Sequence, residues 1–170
     1  MRGRASADPS AFDCALHLAL PPDEVFDAFF DPELLAQWWA IRAAVTTPQP
    51  LGIYALEWPV SGQSDPLLGR LGGAFYGIVI DIRKGREFFL ADAYWLPLDG
   101  TAIGPMAVHV TCDPGAAGTH LRVQVSGCDD SPRWRRFYRV IGAQWTEALS
   151  GLEARLTPRA GCAGSSRPPA

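Results

Sequence analysis

The residues most able to do chemistry in this chain of 170 are three histidines, four cysteines and two carboxylates set among apolar neighbours. His17, His109 and His120 show no H-x-x-x-H or similar spacing that would bring two imidazoles onto one metal, so no zinc site is expected. His109 alternates with Val108 and Val110 and is expected to point away from the core. Cys14, Cys112, Cys128 and Cys162 are scattered without a CxxC pair and read as reduced thiols. No serine stands in a G-x-S-x-G turn. The stretch Gly69-Arg70-Leu71-Gly72-Gly73 lacks the preceding strand and following helix of a phosphate loop, so no cofactor is expected. Glu57, between Leu56 and Trp58, and Asp92, between Ala91 and Ala93, pose the real question. A carboxyl buried there would have a raised pKa suited to acid–base work. The plainer reading is that each marks the solvent face of its strand.

Aromatic residues carry the stronger signal. Trp39, Tyr54, Trp58, Tyr76, Trp95, Trp134, Tyr138 and Trp145, with Met106 and Ile141, are the candidate ligand-binding set. Indole and phenol rings bury a large apolar body and keep a polar tip that wants a partner. Several of them around one seam would suit a mostly apolar molecule with a few polar groups. Core packing is the competing reading for most of them. Arg133, Arg135, Arg136 and Arg139 crowd one helical stretch and read as an outward charged face, or as an anion-attracting mouth.

These groups need elements to position them, and the longest is SPRWRRFYRVIGAQWTEALSGLEARL, residues 131–156. Its large apolar residues Trp134, Phe137, Tyr138, Ile141, Trp145, Leu149, Leu152 and Leu156 recur at steps of three and four, one stripe of a helix. Ser131 caps it, Pro132 suits the first helical position, and Thr157-Pro158 ends it. At about 1.5 Å per residue the rod is about 38 Å long. Upstream, residues 12–20 alternate as a strand with Phe12, Cys14, Leu16 and Leu18 inward. Two short helices follow, one opened by Pro21-Pro22 and one by Asp31-Pro32, where Asp31 can cap. Adjacent Trp38 and Trp39 cannot face the same way on a helix, so one is expected near a surface or cleft. Strands are expected over 41–47, 52–59, 73–83, 87–96, 103–112 and 119–127, separated by Gly, Pro and Asp turns. Spacers this short favour antiparallel pairing.

The fold class that follows is α+β: a curved antiparallel sheet of about seven strands wrapped around the long C-terminal helix, with two short helices after the first strand. A sheet that curls around a helix seldom closes completely, so a cavity between them is expected. One domain over residues 10–157 accommodates this, with residues 1–9 and 158–170 read as disordered. A net charge of −3 excludes nucleic-acid binding driven by phosphate contacts. No apolar run approaches a membrane span, and the N-terminus lacks the apolar core of a signal peptide, so a cytoplasmic location is expected.

The stretch from Pro21 to Trp39, PPDEVFDAFFDPELLAQWW, resembles the opening motif of the Hsp90 ATPase activator homologue-like group of the START-related SRPBCC superfamily. Gly77-Ile78-Val79, Gly118-Thr119-His120-Leu121, and the helix segments Trp134–Tyr138 and Trp145–Leu149 extend the resemblance over about residues 12–156. Two positions depart from the pattern: Leu51-Gly52 stands where paired glycines are frequent, and Gln144 where a glycine often precedes the helix Trp. The resemblance implies a helix-grip fold and a cavity for a hydrophobic ligand more than a reaction. Eukaryotic activators in this group carry a further N-terminal domain that helps grip the chaperone; about ten residues precede the first strand here, so chaperone binding is not the expected role. The expected partner is a small hydrophobic or aromatic molecule. The alternatives are a cyclase-, dehydratase- or hydrolase-type enzyme on the same scaffold, or a chaperone-interacting module.

Overall fold

The computed structural model describes residues 11–127 and 129–156. The ends expected to be disordered, with Cys128 and Cys162, lie outside the described residues. The chain runs β1 (Ala11–Leu18), α1 (Pro22–Asp27), α2 (Pro32–Trp39), β2 (Ala43–Thr46), β3 (Ile53–Trp58), β4 (Ser64–Asp65), β5 (Gly69–Arg70), β6 (Gly73–Arg83), β7 (Glu87–Leu96), β8 (Ile103–Gly115), β9 (Gly118–Ser126) and α3 (Pro132–Leu156). Seven strands form one antiparallel sheet in the order β1-β9-β8-β7-β6-β3-β2, and β4 and β5 form a separate ribbon. The architecture is the expected α+β helix-grip arrangement.

Local sequence explains most of these elements. In β8 the alternation buries Met106, Val108, Val110 and Cys112, and in β9 it buries Leu121, Val123 and Val125. Register shifts at Tyr76/Ile78 and Val79/Asp81 on β6, and around Asp92 on β7, mark bulges that bend the sheet toward α3. Asp92 itself sits at φ 49° in such a bulge. At the start of α2, Asp31 Oδ1 accepts from the N–H groups of Glu33 and Leu34 at 2.8 and 3.2 Å, the cap that the Asp-Pro pair predicts. At α3, Ser131 Oγ accepts from the Trp134 N–H at 3.3 Å.

The interior divides into two parts. At one end, α1 and the turn after it drive Phe26, Phe29 and Phe30 against Phe88 and Tyr54, a ring cluster with centroids 4.8–5.9 Å apart. That end is filled. On the other side α3 covers the sheet with Trp134, Phe137, Tyr138, Trp145, Leu149 and Leu152, all buried, while Ile141 on the same stripe is only partly covered. The incomplete burial of Ile141 is where the helix and sheet separate.

The β4–β5 ribbon is the one feature the sequence pattern does not announce. Residues 59–72 form a strap between β3 and β6, and two-residue strands are too short to carry a period. Gly73 returns the strap to the sheet at φ 90°, where a Cβ would lie 2.2 Å from the Leu96 carbonyl oxygen, so only glycine fits.

Candidate cavity between sheet and helix

A cavity of about 510 Å³, partly open to solvent, lies between α3, the C-terminal end of α2, the strap and the concave sheet. Six of the ten expected residues line it: Trp39, Trp58, Trp95, Met106, Ile141 and Trp145. Trp39 is central. Its ring stacks on Trp38 at 4.9 Å and 16°, meets Trp145 at 4.2 Å, and meets Trp58 edge-on at 5.4 Å. The adjacent-Trp expectation resolves as one buried and one half-buried ring, and both border the cavity. Trp38 is buried and its Nε1 donates to the Ala28 carbonyl oxygen at 2.9 Å; Trp39 is half-buried and also walls the cavity. Trp145 stands on the α3 stripe with Phe12 of β1 stacked against it at 6.3 Å.

The other four expected residues are not among those lining the cavity. Tyr54 belongs to the filled end, where its hydroxyl donates to the Phe29 carbonyl oxygen at 2.9 Å and burial pushes its pKa far above the ordinary phenol value. Tyr76 points to the convex side, opposite Ala55 and Tyr94, because its neighbour Phe75 takes the inward position. Trp134 packs against Phe137 and Tyr138 at the start of α3. Tyr138 is buried, and its hydroxyl donates to the Gly127 carbonyl oxygen. Parity could have separated Tyr76 from Phe75. Nothing local distinguishes a helix aromatic that packs from one that walls a void.

Sequence reasoning missed Leu68, Leu71 and Phe75, together with Val108, Val125 and Phe137. The last three are inward apolar positions that read as ordinary core. Leu68 and Leu71 come from the strap, and Leu68 is almost completely buried as part of the cavity roof.

The strap is held from outside by polar bonds, which engage two of the four arginines expected to form an outward charged face. Asp65 is buried, with 4% of its side chain exposed, and Arg136 Nε lies 2.6 Å from its Oδ2. Asp65 Oδ1 also accepts from the Leu67 and Leu68 N–H groups at 3.0 and 3.2 Å, which folds the strap at that point. Burial works to raise the Asp65 pKa, but these N–H groups and the Arg136 guanidinium outweigh it and hold the carboxyl below its ordinary value. Arg133 donates to the Leu67 carbonyl at 3.3 Å and to the Thr101 carbonyl. The far side of the strap is tied by the Arg70 N–H to Asp99 at 2.8 Å and by Trp95 Nε1 to the Gly72 carbonyl at 2.9 Å. Arg135 and Arg139 are exposed.

None of the acid–base candidates lines the cavity. Glu57 faces outward and pairs with Arg42 at 2.7 Å. Asp92 is exposed on the convex side, where its carboxylate raises the Tyr94 phenol pKa. His109 faces away from α3 as expected, with its Nε2 3.3 Å from Glu87 Oε2. Among the described residues no group of three or more His, Cys, Asp or Glu is placed to hold a metal ion, and no helix is long and apolar enough to cross a membrane. Cys14 and Cys112 are buried free thiols, and burial pushes the Cys112 pKa up to about 12.

A curved antiparallel sheet gripping a long terminal helix, plugged at one end by two short helices and open between, defines a helix-grip protein of the START-related SRPBCC class. Within that class the chain belongs to the family described as "Activator of Hsp90 ATPase homolog 1-like protein", whose model matches residues 19–157. No curated protein matches it. Solved structures of the same fold include a protein from Chromobacterium violaceum, 23% identical with TM-score 0.68, covering 89% of this chain and 99% of its own. A Rhodobacter sphaeroides protein is 20% identical with TM-score 0.67, covering 91% and 97%. One from Mycobacterium smegmatis is 15% identical with TM-score 0.67, covering 92% and 96%.

Proposed function

We propose that this protein binds a small, mostly apolar molecule in the cavity between the sheet and α3, and that it does so in the cytoplasm. One observation carries the reading: the aromatic seam encloses space instead of closing on itself. A cavity of about 510 Å³ falls within the range of small-molecule sites. Its wall is mostly apolar or indole; of its polar side chains, Gln37, Gln63, Gln144, Glu147 and Arg155 are exposed ones at the rim, and Ser61 is half-buried. Such a wall favours holding a ligand over transforming one, since Glu57, Asp92 and His109, which would have favoured an enzyme, lie elsewhere.

Titration with an uncharged solvatochromic dye such as Nile red tests this. The parent protein is expected to bind it, and Trp145→Phe to weaken binding by up to about tenfold, because ring contacts of this kind contribute about 0.5–1.5 kcal/mol. Tyr76→Phe, on the convex face, is expected to leave affinity unchanged. No binding by the parent across a broad panel of apolar ligands would sink the reading, as would equal binding by Trp145→Phe.

A further inference from the structure

Three tryptophans that line the cavity have indole N–H groups with no partner among the described residues. Five tryptophans line it, and two of their indole N–H groups are already spent, Trp38 on the Ala28 carbonyl and Trp95 on the Gly72 carbonyl. For Trp39, Trp58 and Trp145 no partner exists among the described residues, and none of the three N–H groups is sealed from solvent. Trp145 is only 7% exposed and lines the cavity. Behind the rim the lining side chains are otherwise Ala, Val, Ile, Leu, Phe, Pro and Met, with the half-buried Ser61, whose hydroxyl oxygen already accepts from the Gln63 N–H at 2.9 Å; the Met106 sulfur accepts only weakly.

The side chains of the deep wall therefore offer donors, few free acceptors and no charge. In the empty cavity water can satisfy the indoles. A purely hydrocarbon occupant would displace that water and strand them, and an unpaired buried donor costs more than an ordinary hydrogen bond returns. A cation or an anion would lose its hydration for no compensating charge. We propose that the ligand is an uncharged planar molecule bearing hydrogen-bond-acceptor oxygens, such as an aryl ketone, with its rings among the tryptophans and a carbonyl oxygen accepting from at least one of the Trp39, Trp58 and Trp145 N–H groups. This rests on the cavity-binding reading above and narrows it.

Fluorenone and fluorene, two rigid tricycles that differ by one carbonyl, make the test. Calorimetric or fluorescence titration measures the affinity of each for the parent and for Trp39→Phe, Trp58→Phe and Trp145→Phe. Phenylalanine keeps an aromatic ring and removes the N–H, while thermal melts confirm that each variant is folded. After correction for their water–octanol partition, fluorenone is expected to bind the parent about three- to tenfold more tightly than fluorene. That advantage should shrink toward unity in at least one of the three variants. Equal corrected affinities in the parent would overturn the donor-wall inference and leave the cavity reading standing. So would a fluorenone advantage that survives all three substitutions. Failure of both probes to bind would count against the cavity reading itself and take this inference with it.

Discussion

At the scale of the residue, two neighbouring tryptophans do different work because a helix turns about 100° between them. Trp38 is buried and spends its N–H on the Ala28 carbonyl, tying α2 to the turn after α1. Trp38→Ala is expected to cost about 3–5 kcal/mol in urea unfolding, the usual penalty for emptying a large core site. Trp39→Ala should cost distinctly less stability and instead weaken dye binding, because Trp39 is only half-buried and its ring stands between Trp145 and Trp58 on the cavity wall. Equal stability losses would show that both rings are packed alike. Tyr54 is a similar lesson in position. Its phenol, lifted well above the working pH range by burial, stays a neutral donor to the Phe29 carbonyl. Tyr54→Phe is expected to cost about 1–3 kcal/mol by orphaning that carbonyl, with no effect on ligand affinity. A loss of affinity with stability unchanged would place Tyr54 in the binding site after all.

The strap and α3 meet at the scale of the element. Apolar Leu68 and Leu71 roof the cavity, but what fastens the strap from outside is polar, chiefly Asp65 with Arg136 and the Arg133 guanidinium with two carbonyls. Release of a bound dye is expected to require this fastening to open. Asp65→Asn keeps the shape and weakens the ion pair, so it is expected to speed dye dissociation several-fold in stopped-flow while the far-UV circular dichroism stays the same. The pH dependence follows from the lowered Asp65 pKa. A carboxyl depressed in the folded state contributes above its ordinary value of about 3.9, and that contribution is lost as pH falls through the lower folded value. Dissociation should therefore be insensitive to pH from about 7 to 4 in the parent and accelerate only below that. Unchanged dissociation in Asp65→Asn would mean that the strap does not limit release.

For the whole molecule, sheet and helix depend on each other: α3 is amphipathic along its length, and its stripe packs on the concave sheet face and, through Trp145, on Trp39 of α2. Leu152, fully buried near the end of α3, is a clean probe. Leu152→Ala is expected to cost about 2–5 kcal/mol, with far-UV circular dichroism and tryptophan fluorescence shifting together in one transition. Separate midpoints would show that the helix detaches before the sheet melts.

What the sequence determined by itself is everything set by short-range period and punctuation. Gly73–Arg83 and Glu87–Leu96 read as strands with the limits they have in the fold, and Asp31-Pro32 and Ser131-Pro132 mark helix starts that are found capped. Inward and outward parity is local too, which is why His109 could be placed correctly from its neighbours alone. Tertiary structure decided the rest. A period tells which face turns inward but not whether the side chains arriving from opposite walls meet. Tyr54 and Trp58 share one strand and one inward parity, yet one ends in a filled ring cluster and the other beside a cavity. The strap was illegible because its two-residue strands carry no period, and its fastening joins Asp65 to an arginine 71 positions away. Void volume and long-range pairing are properties of the curvature of the sheet and the seat of the helix upon it, and no window of sequence contains them.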